Sequence, residues 1–257
     1  MATAWDREDF VNAWNQTYGL DMSKAPIRPG LIFPLLAEKI ASFENLVLAD
    51  LGCGNGNLIR HFSRTDFSKW IGVDGGSAVI KSAADNTRDS RVEYQHADLT
   101  RPLAVETHSV DIVTNVFVIE EIPFQDLKGM FANVKDILKP DGRAFFFTNH
   151  PSHALLQDLD AVRTGQPNAK FPGHQGYFDH QGTSYVLSVM NAQDKQPVMA
   201  NYHHKTFSDI MNAAASADLQ LVEMGEIPQG VIRLDDWKNH TPNAGDSPRF
   251  LYLQLKA

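Results

Sequence analysis

Apolar positions fall into short blocks along the chain, and their period changes from one block to the next. Trp5, Phe10, Val11, Trp14 and Tyr18 recur at a loosely helical spacing. Pro26, Pro29 and Gly30 interrupt it, and a second amphipathic helix is expected from Leu31 to Phe43. Strand-length runs follow at Val47–Leu51, Lys69–Asp74, Val92–Asp98, Asp111–Val118 and Arg143–Asn149. The fourth is almost wholly apolar, as parallel strands buried on both faces tend to be. Helical segments separate the strands: one beginning at Leu58 to Arg64, one capped by Ser77 with Val79, Ile80 and Ala83 facing inward, and one from Phe124 to Leu138 stopped by Pro140 and Gly142. Strands alternating with helices of this length predict a parallel sheet with right-handed crossovers.

The rhythm breaks at Pro151. Residues 151–200 are rich in Gly, Pro, His and aromatic residues, and within them Ser184–Met190 and Val198–His204 alternate like a hairpin around Asp194-Lys195. A helix from Phe207 to Ala217, a strand from Leu219 to Met224, an irregular stretch from Pro228 to Pro248 and a last strand from Arg249 to Leu255 complete the pattern. The economical reading is a single domain over 1–257. In it, N-terminal helices (1–45) lead into a ligand-binding half (46–150), a substrate-side insert (151–205) and a C-terminal part that finishes the sheet (206–257). The insert is long enough to act as a lid that excludes water.

The chemistry concentrates where the first strand ends, at Asp50-Leu-Gly52-Cys53-Gly54-Asn-Gly56. Glycines are needed where the backbone turns tightly or approaches a ligand, because no Cβ intervenes. A nicotinamide loop spaces its glycines G-x-G-x-x-G and offers a free helix N-terminus to a pyrophosphate. Here the third such place is Asn57 and the glycine falls one residue early. Asp50 would repel a pyrophosphate and favours a ligand carrying an ammonium and a sulfonium. Two further acids, Asp74 and Asp98, end the next two strands at intervals of 24 residues. That spacing places all three on the carboxyl rim, where open α/β sheets bind ligands. Asp74 can accept hydrogen bonds from ribose hydroxyls; Asp98 can take an adenine amino group while Leu99 packs on the ring.

Bulk properties narrow the partners. A net charge of -8 without a long basic run argues against nucleic acid. The single Cys53 allows no internal disulfide, consistent with a reducing compartment. No run approaches a membrane span, and the N-terminus lacks a signal-peptide core, so a cytoplasmic location is expected.

With these motifs in place the chain resembles the class I S-adenosylmethionine (SAM) methyltransferases, small-molecule branch, over most of residues 40–225. Ala49–Gly56 looks like the family's first strand and loop, Gly72-Val-Asp74 its ribose position and Ala97-Asp98-Leu99 its adenine position. Ile112–Ile119, with Asn115, Val116 and Phe117, is similar to the segment under the methionine part of the cofactor, and Leu138–Arg143 to the turn before the fifth strand. Gly75-Gly76 departs from the family, where a small polar residue and bulkier neighbours are common. The resemblance implies a Rossmann-like α/β three-layer sandwich: a seven-stranded, mostly parallel sheet with an antiparallel last strand, N-terminal helices and an inserted hairpin. It also implies methyl transfer from SAM, with S-adenosylhomocysteine as product. Leading helices cap the cofactor in that family, which makes Tyr18 a candidate contact.

The acceptor side is less legible. Among ten histidines, His150 and His153 follow the fifth strand, His174 and His180 lie in the insert, and Tyr202, His203 and His204 precede a helix in a stretch that resembles an acceptor-pocket wall. His204 and His150 are the candidate bases; Glu120, His153, Phe178, Tyr202 and His203 are candidate substrate contacts. Each histidine is otherwise a surface or hydrogen-bonded structural residue, and Glu120-Glu121 otherwise a solvated turn. Phe171, Tyr177 and Tyr185 add aromatic surface suited to a small organic acceptor or to packing of the hairpin. No His, Cys or acid spacing suggests a metal. Cys53 is expected to pack in the loop. Methylation of RNA or protein, SAM binding without methyl transfer, and nicotinamide oxidoreduction remain alternatives, the last disfavoured by Asp50. The oligomeric state, monomer or homodimer, is open.

Overall fold

Nine strands and seven α-helices are assigned in a computed structural model that describes residues 4–16, 22, 25–62, 67–153, 177–178, 182, 184–190, 197–243 and 246–257. For 185–190 and 197–200 it describes the backbone. Tyr18, Phe171, His174, His180 and the expected turn at Asp194-Lys195 lie outside the described residues, as does the side chain of Tyr185.

Seven strands form one sheet: β1 (Leu46–Leu51), β2 (Phe67–Asp74), β3 (Val92–His96), β4 (Val110–Val116), β5 (Leu138–Asn149), β8 (Gln220–Pro228) and β9 (Pro248–Lys256). Their spatial order is β3-β2-β1-β4-β5-β9-β8. The first five pair in parallel, and β9 runs antiparallel between β5 and β8. The last strand is therefore the antiparallel one, as the resemblance implies. The expected hairpin is present as a separate antiparallel pair, β6 (Ser184–Met190) and β7 (Pro197–His203).

Burial on both faces explains why the central strands lack polar alternation. In β4 and β5, Val113, Ala144 and Phe146 enter one core, which α5 (Leu127–Ile137) and α6 (Phe207–Ser216) cover with Met130, Phe131, Val134, Ile210 and Ala214. Ile112, Phe145 and Phe147 enter the other, which α2 (Phe33–Ile40) and α3 (Asn57–Phe62) cover with Leu35, Leu36, Leu58 and Ile59. Successive residues of a strand serve opposite layers, so apolar residues stand side by side rather than alternating with polar ones.

Several local expectations are corrected. Ser77 is the first residue of α4 (Ser77–Asp85), not its cap; its backbone N–H and hydroxyl both donate to Asp6 Oδ1, each at 3.0 Å. The cap comes from the N-terminal 3-10 turn Ala4–Asp6, a partner no local pattern could reveal. Pro140 and Gly142 do not precede β5 but sit within it. Leu138 pairs with Val110 and Arg143 with Ile112, so the intervening residues bulge out. The segment expected to be irregular from 228 to 248 contains α7 (Leu234–Lys238), whose neighbour contact is Trp237 against Gly225, where an added Cβ would lie 2.3 Å from the indole.

The hairpin returns to the sheet through His204-Lys205 and the start of α6. There Thr206 and Asp209 form a capping box: Asp209 N–H donates to Thr206 Oγ1 at 3.2 Å, and Thr206 N–H donates to Asp209 Oδ2 at 2.8 Å. Thr206→Ala should lower unfolding stability by about 1 kcal/mol, read as a lower urea midpoint at unchanged slope.

Candidate active site at the carboxyl edge of the sheet

Beyond β1 the chain turns through three left-handed glycines, Gly52 (φ 82°), Gly54 (φ 54°) and Gly56 (φ 78°). At Gly52 a Cβ would meet Val118 Cγ2 at 2.1 Å and at Gly56 it would meet Tyr94 Oη at 2.2 Å, so both are closed by packing. A Cβ added at Gly54 would meet nothing within 4 Å among the described residues. The loop is tied to β2: Gly52 and Cys53 N–H donate to Val73 O at 2.7 and 3.1 Å, and Gly54 N–H donates to Asp74 Oδ2 at 2.9 Å. Asp74 Oδ1 takes Gly76 N–H at 2.9 Å. Cys53 is buried, and burial pushes its thiol well up from the usual value, which leaves it an inert packing residue.

Four carboxylates converge near this loop. Asp50, 3% exposed, stands opposite Thr114 in the β1–β4 register and accepts its hydroxyl at 2.8 Å. Burial pushes the Asp50 carboxyl up to about 7; Thr114 and Arg28 oppose the shift, and Asp74 adds to it. Asp74 is raised by burial against its two backbone donors. Glu120 and Glu121 occupy a 3-10 turn after β4, and the solvated turn expected there is not what forms. Glu120 is 6% exposed, with Oε1 taking Asn149 N–H at 2.7 Å and Asn149 Nδ2 at 2.6 Å, while Oε2 is buried without a hydrogen-bond partner among the described residues. Burial pushes Glu121 up to about 8, with Asp74 and Glu120 adding to the shift and the Trp5 indole, which donates to its Oε2 at 2.6 Å, opposing it.

Two cations face these acids, and neither carried a signal in the sequence. Arg28, from the turn leading into α2, lies 5.6 Å over the Phe117 ring, and its field reaches Asp50 and Tyr202. Phe117 holds φ 60°, a left-handed conformation uncommon for an aromatic residue, at the end of β4. Lys205 is 4% exposed, and burial lowers its ammonium to about 8 against the attraction of Glu120 and Asp209. A lysine is ordinarily exposed, and Arg28 sits in a proline-rich turn without period, so pattern alone could not place either. Asn115 is buried, its Nδ2 donating to Leu51 O at 2.8 Å and its Oδ1 unpartnered among the described residues. Val116 precedes Phe117 at the strand end.

The third acid differs from the first two. Asp98 is exposed, with Oδ1 taken by Thr100 N–H and Oγ1 at 2.9 and 2.7 Å, and the Leu99 side chain is buried in the core. Gly75 O is bonded by His96 Nε2 at 3.0 Å. The Gly75-Gly76 departure has a physical reason: a Cβ on Gly76 would stand 2.3 Å from Trp5 Cβ. Glycine there lets the N-terminal turn close over the rim.

The histidines are mostly committed. His204, 3% exposed, bonds Tyr177 O through Nε2 at 2.9 Å; a carbonyl only accepts, so that nitrogen carries the proton. His150 bonds Glu226 through Nε2 and Ser152 through Nδ1, both at 2.8 Å, and burial lowers its pKa. His153 Nε2 accepts from Arg249 at 2.6 Å, and His203 Nδ1 bonds Ser184 Oγ at 2.9 Å. Phe178 lies on the surface, 73% exposed, rather than in a pocket wall. Tyr202 is partly buried near Arg28. No group of three or more His, Cys, Asp or Glu suited to a metal occurs among the described residues, and none of their helices is long and apolar enough to cross a membrane.

This sheet order, with a glycine loop and clustered acids at the carboxyl ends of the parallel strands, defines a Rossmann-like α/β protein of the kind that binds nucleoside ligands at that edge. Comparison with known proteins is consistent with it. The methyltransferase domain family matches residues 48–142. The ubiquinone biosynthesis O-methyltransferase of Nitrosococcus oceani is 30% identical over 122 residues, which cover 46% of this chain and 50% of that one. The chain thus spans about half the length of the curated relatives it matches. Among solved structures, the PH0226 protein from Pyrococcus horikoshii OT3 is 14% identical with a TM-score of 0.67 over 96% of this chain and 98% of that one. A SAM-dependent methyltransferase from Mesorhizobium loti is 18% identical with a TM-score of 0.59 over 87% and 96%. These two share the fold. Over residues 48–142, then, the chain is similar to the methyltransferase domain family, and over most of its length it shares the fold of these solved structures.

The raised carboxyls give a testable pH dependence. An acid whose folded pKa lies above its unfolded value binds protons more tightly when folded, so its ionisation lowers stability as pH rises from about 4 to the folded pKa. For Asp50 that window closes at about 7. Asp50→Asn should remove this decline, giving a smaller loss of thermal stability than wild type between those pH values; parallel curves would contradict the buried carboxylate.

Proposed function

We propose that the protein transfers a methyl group from SAM to a small-molecule acceptor. The observation that carries this is the set of desolvated carboxylates around the glycine loop, with Asp50 and Glu121 raised to about 7 and 8. Such a site repels a pyrophosphate and is relieved by a ligand bearing positive charge. SAM has two positive centres, an ammonium and a sulfonium, beside one carboxylate.

The residues present fit that group. Gly52, Cys53, Gly54 and Gly56 shape the loop, and the open space at Gly54 admits ligand. Asp74 and Gly75 sit where ribose hydroxyls would be held, and Asp98 and Leu99 form the turn that would flank adenine. Asn115, Val116 and Phe117 would border the methionine part. Arg28 stacks on Phe117 and supplies the cation its carboxylate needs. Bound there, SAM supplies an activated methyl on sulfur. The chain's own task is then to align acceptor and methyl and to exclude water. The N-terminal turn, hinged on Trp5 and Asp6, closes one side of the rim. The relatives' name, an O-methyltransferase of ubiquinone biosynthesis, supports a small-molecule acceptor that is methylated on oxygen.

Calorimetric titration with SAM, S-adenosylhomocysteine and NAD tests the reading. Micromolar binding of the first two without NAD is expected, and Asp74→Ala should weaken SAM by about tenfold or more through the lost ribose hydrogen bonds. Binding of NAD alone would overturn it.

A further inference from the structure

Lys205 and Glu120 form a second polar centre that the cofactor reading does not use. Lys205 is 4% and Glu120 6% exposed. They come from distant parts of the chain. Glu120 lies in the turn after β4, and Lys205 follows β7, whose strand packs against that turn. Burying either charge is costly unless it is paired. The two interact electrostatically, yet neither hydrogen-bonds the other. Lys205 Nζ donates to His203 O at 2.9 Å, its one hydrogen bond among the described residues. Glu120 Oε1 is filled twice by Asn149, the Thr148 hydroxyl also favours the charged carboxylate, and Oε2 has no hydrogen-bond partner among the described residues. Among the described residues, two ammonium N–H groups and one carboxylate oxygen are left without a partner.

The group that completes both is one that donates and accepts through the same atom. A hydroxyl can donate to Glu120 Oε2 and accept from Lys205 Nζ. A protonated amine would face the ammonium, and a carboxylate or phosphate would face Glu120. We infer that Glu120 and Lys205 hold the acceptor hydroxyl of a phenol or enol, Glu120 receiving its proton and Lys205 stabilising the oxyanion. This rests on the function proposed above. In the step, the hydroxyl proton passes to Glu120 and the oxygen's electron pair forms the new O–CH3 bond. The S–CH3 bond breaks with its pair going to sulfur, leaving a methyl ether and S-adenosylhomocysteine. Oxygen becomes electron-rich before it attacks, so a fixed cation beside it lowers the barrier. His204, whose Nε2–H is held by Tyr177 O, then keeps the hairpin base in place beside Lys205.

The test uses 4-nitrophenol, whose phenolate absorbs separately from its neutral form, added to protein loaded with S-adenosylhomocysteine at a pH where the free probe is neutral. Wild type should bind it and develop the phenolate band. Lys205→Met should bind S-adenosylhomocysteine within about threefold of wild type, yet bind the probe about 10- to 100-fold more weakly, without the band. Glu120→Gln, which keeps the shape but cannot take a proton, should still bind the probe but show a clearly weaker band, because the hydroxyl proton has lost its local acceptor. No band in loaded wild type, an equal band in Lys205→Met, or an undiminished band in loaded Glu120→Gln would overturn the inference while leaving the cofactor reading intact. Should Lys205→Met fail to fold, wild type and Glu120→Gln still decide. Failure of wild type to bind S-adenosylhomocysteine would instead overturn the proposed function.

Discussion

The hydrogen bond from Thr114 to Asp50 spans the two central strands at the point where the sheet meets its ligand edge. It satisfies one oxygen of a carboxylate that is almost wholly removed from water. A buried carboxylate is tolerated when neutralised, hydrogen-bonded or faced by a cation. Around Asp50 all three occur in part: its pKa is raised, Thr114 donates, and Arg28 lies within its field. The edge is held short of full compensation, a deficit that a cationic ligand would complete. Residues that pack tightly elsewhere are arranged here around that deficit. Gly52 and Gly56 are closed by Val118 and Tyr94, and Gly54 alone of the three leaves space.

Three separate segments close over this edge, and each brings a polar group to it. The N-terminal turn brings Trp5 to Glu121 and Asp6 to α4. The turn before α2 brings Arg28 to Phe117. The hairpin brings Lys205 towards Glu120. Strand ends fix the carboxylates, whereas the groups that answer them arrive on connections. This division suits binding sites on α/β sheets, where a rigid scaffold fixes position and loops vary the chemistry. The strand ends would then set the cofactor and the loops the acceptor.

Most of the sheet was legible because burial on both faces forces an unbroken apolar run, which β4 and the end of β5 display. Asp50 and Asp74 were legible because strand length and the crossover spacing place strand ends at regular intervals. Local patterns erred where a partner came from afar. Ser77 reads as a cap, but Asp6 supplies the acceptor. Pro140 and Gly142 read as a stop, but the register of β4 draws Leu138 into the strand. Glu120-Glu121 reads as a solvated turn, yet β7 packs against it.

The sequence by itself determined the order of strands and helices, the glycine loop, and which strands end in an acid. These follow from local backbone preference and from the period of apolar residues, which act over a few positions at a time. Only the tertiary structure decided which charges lose their water. Whether Glu120 is solvated or buried, whether a lysine beside a histidine is on the surface or inside, and which oxygen lacks a donor depend on segments about 30 to 120 residues apart. Desolvation depends on what closes over a group, and that is settled when the layers pack.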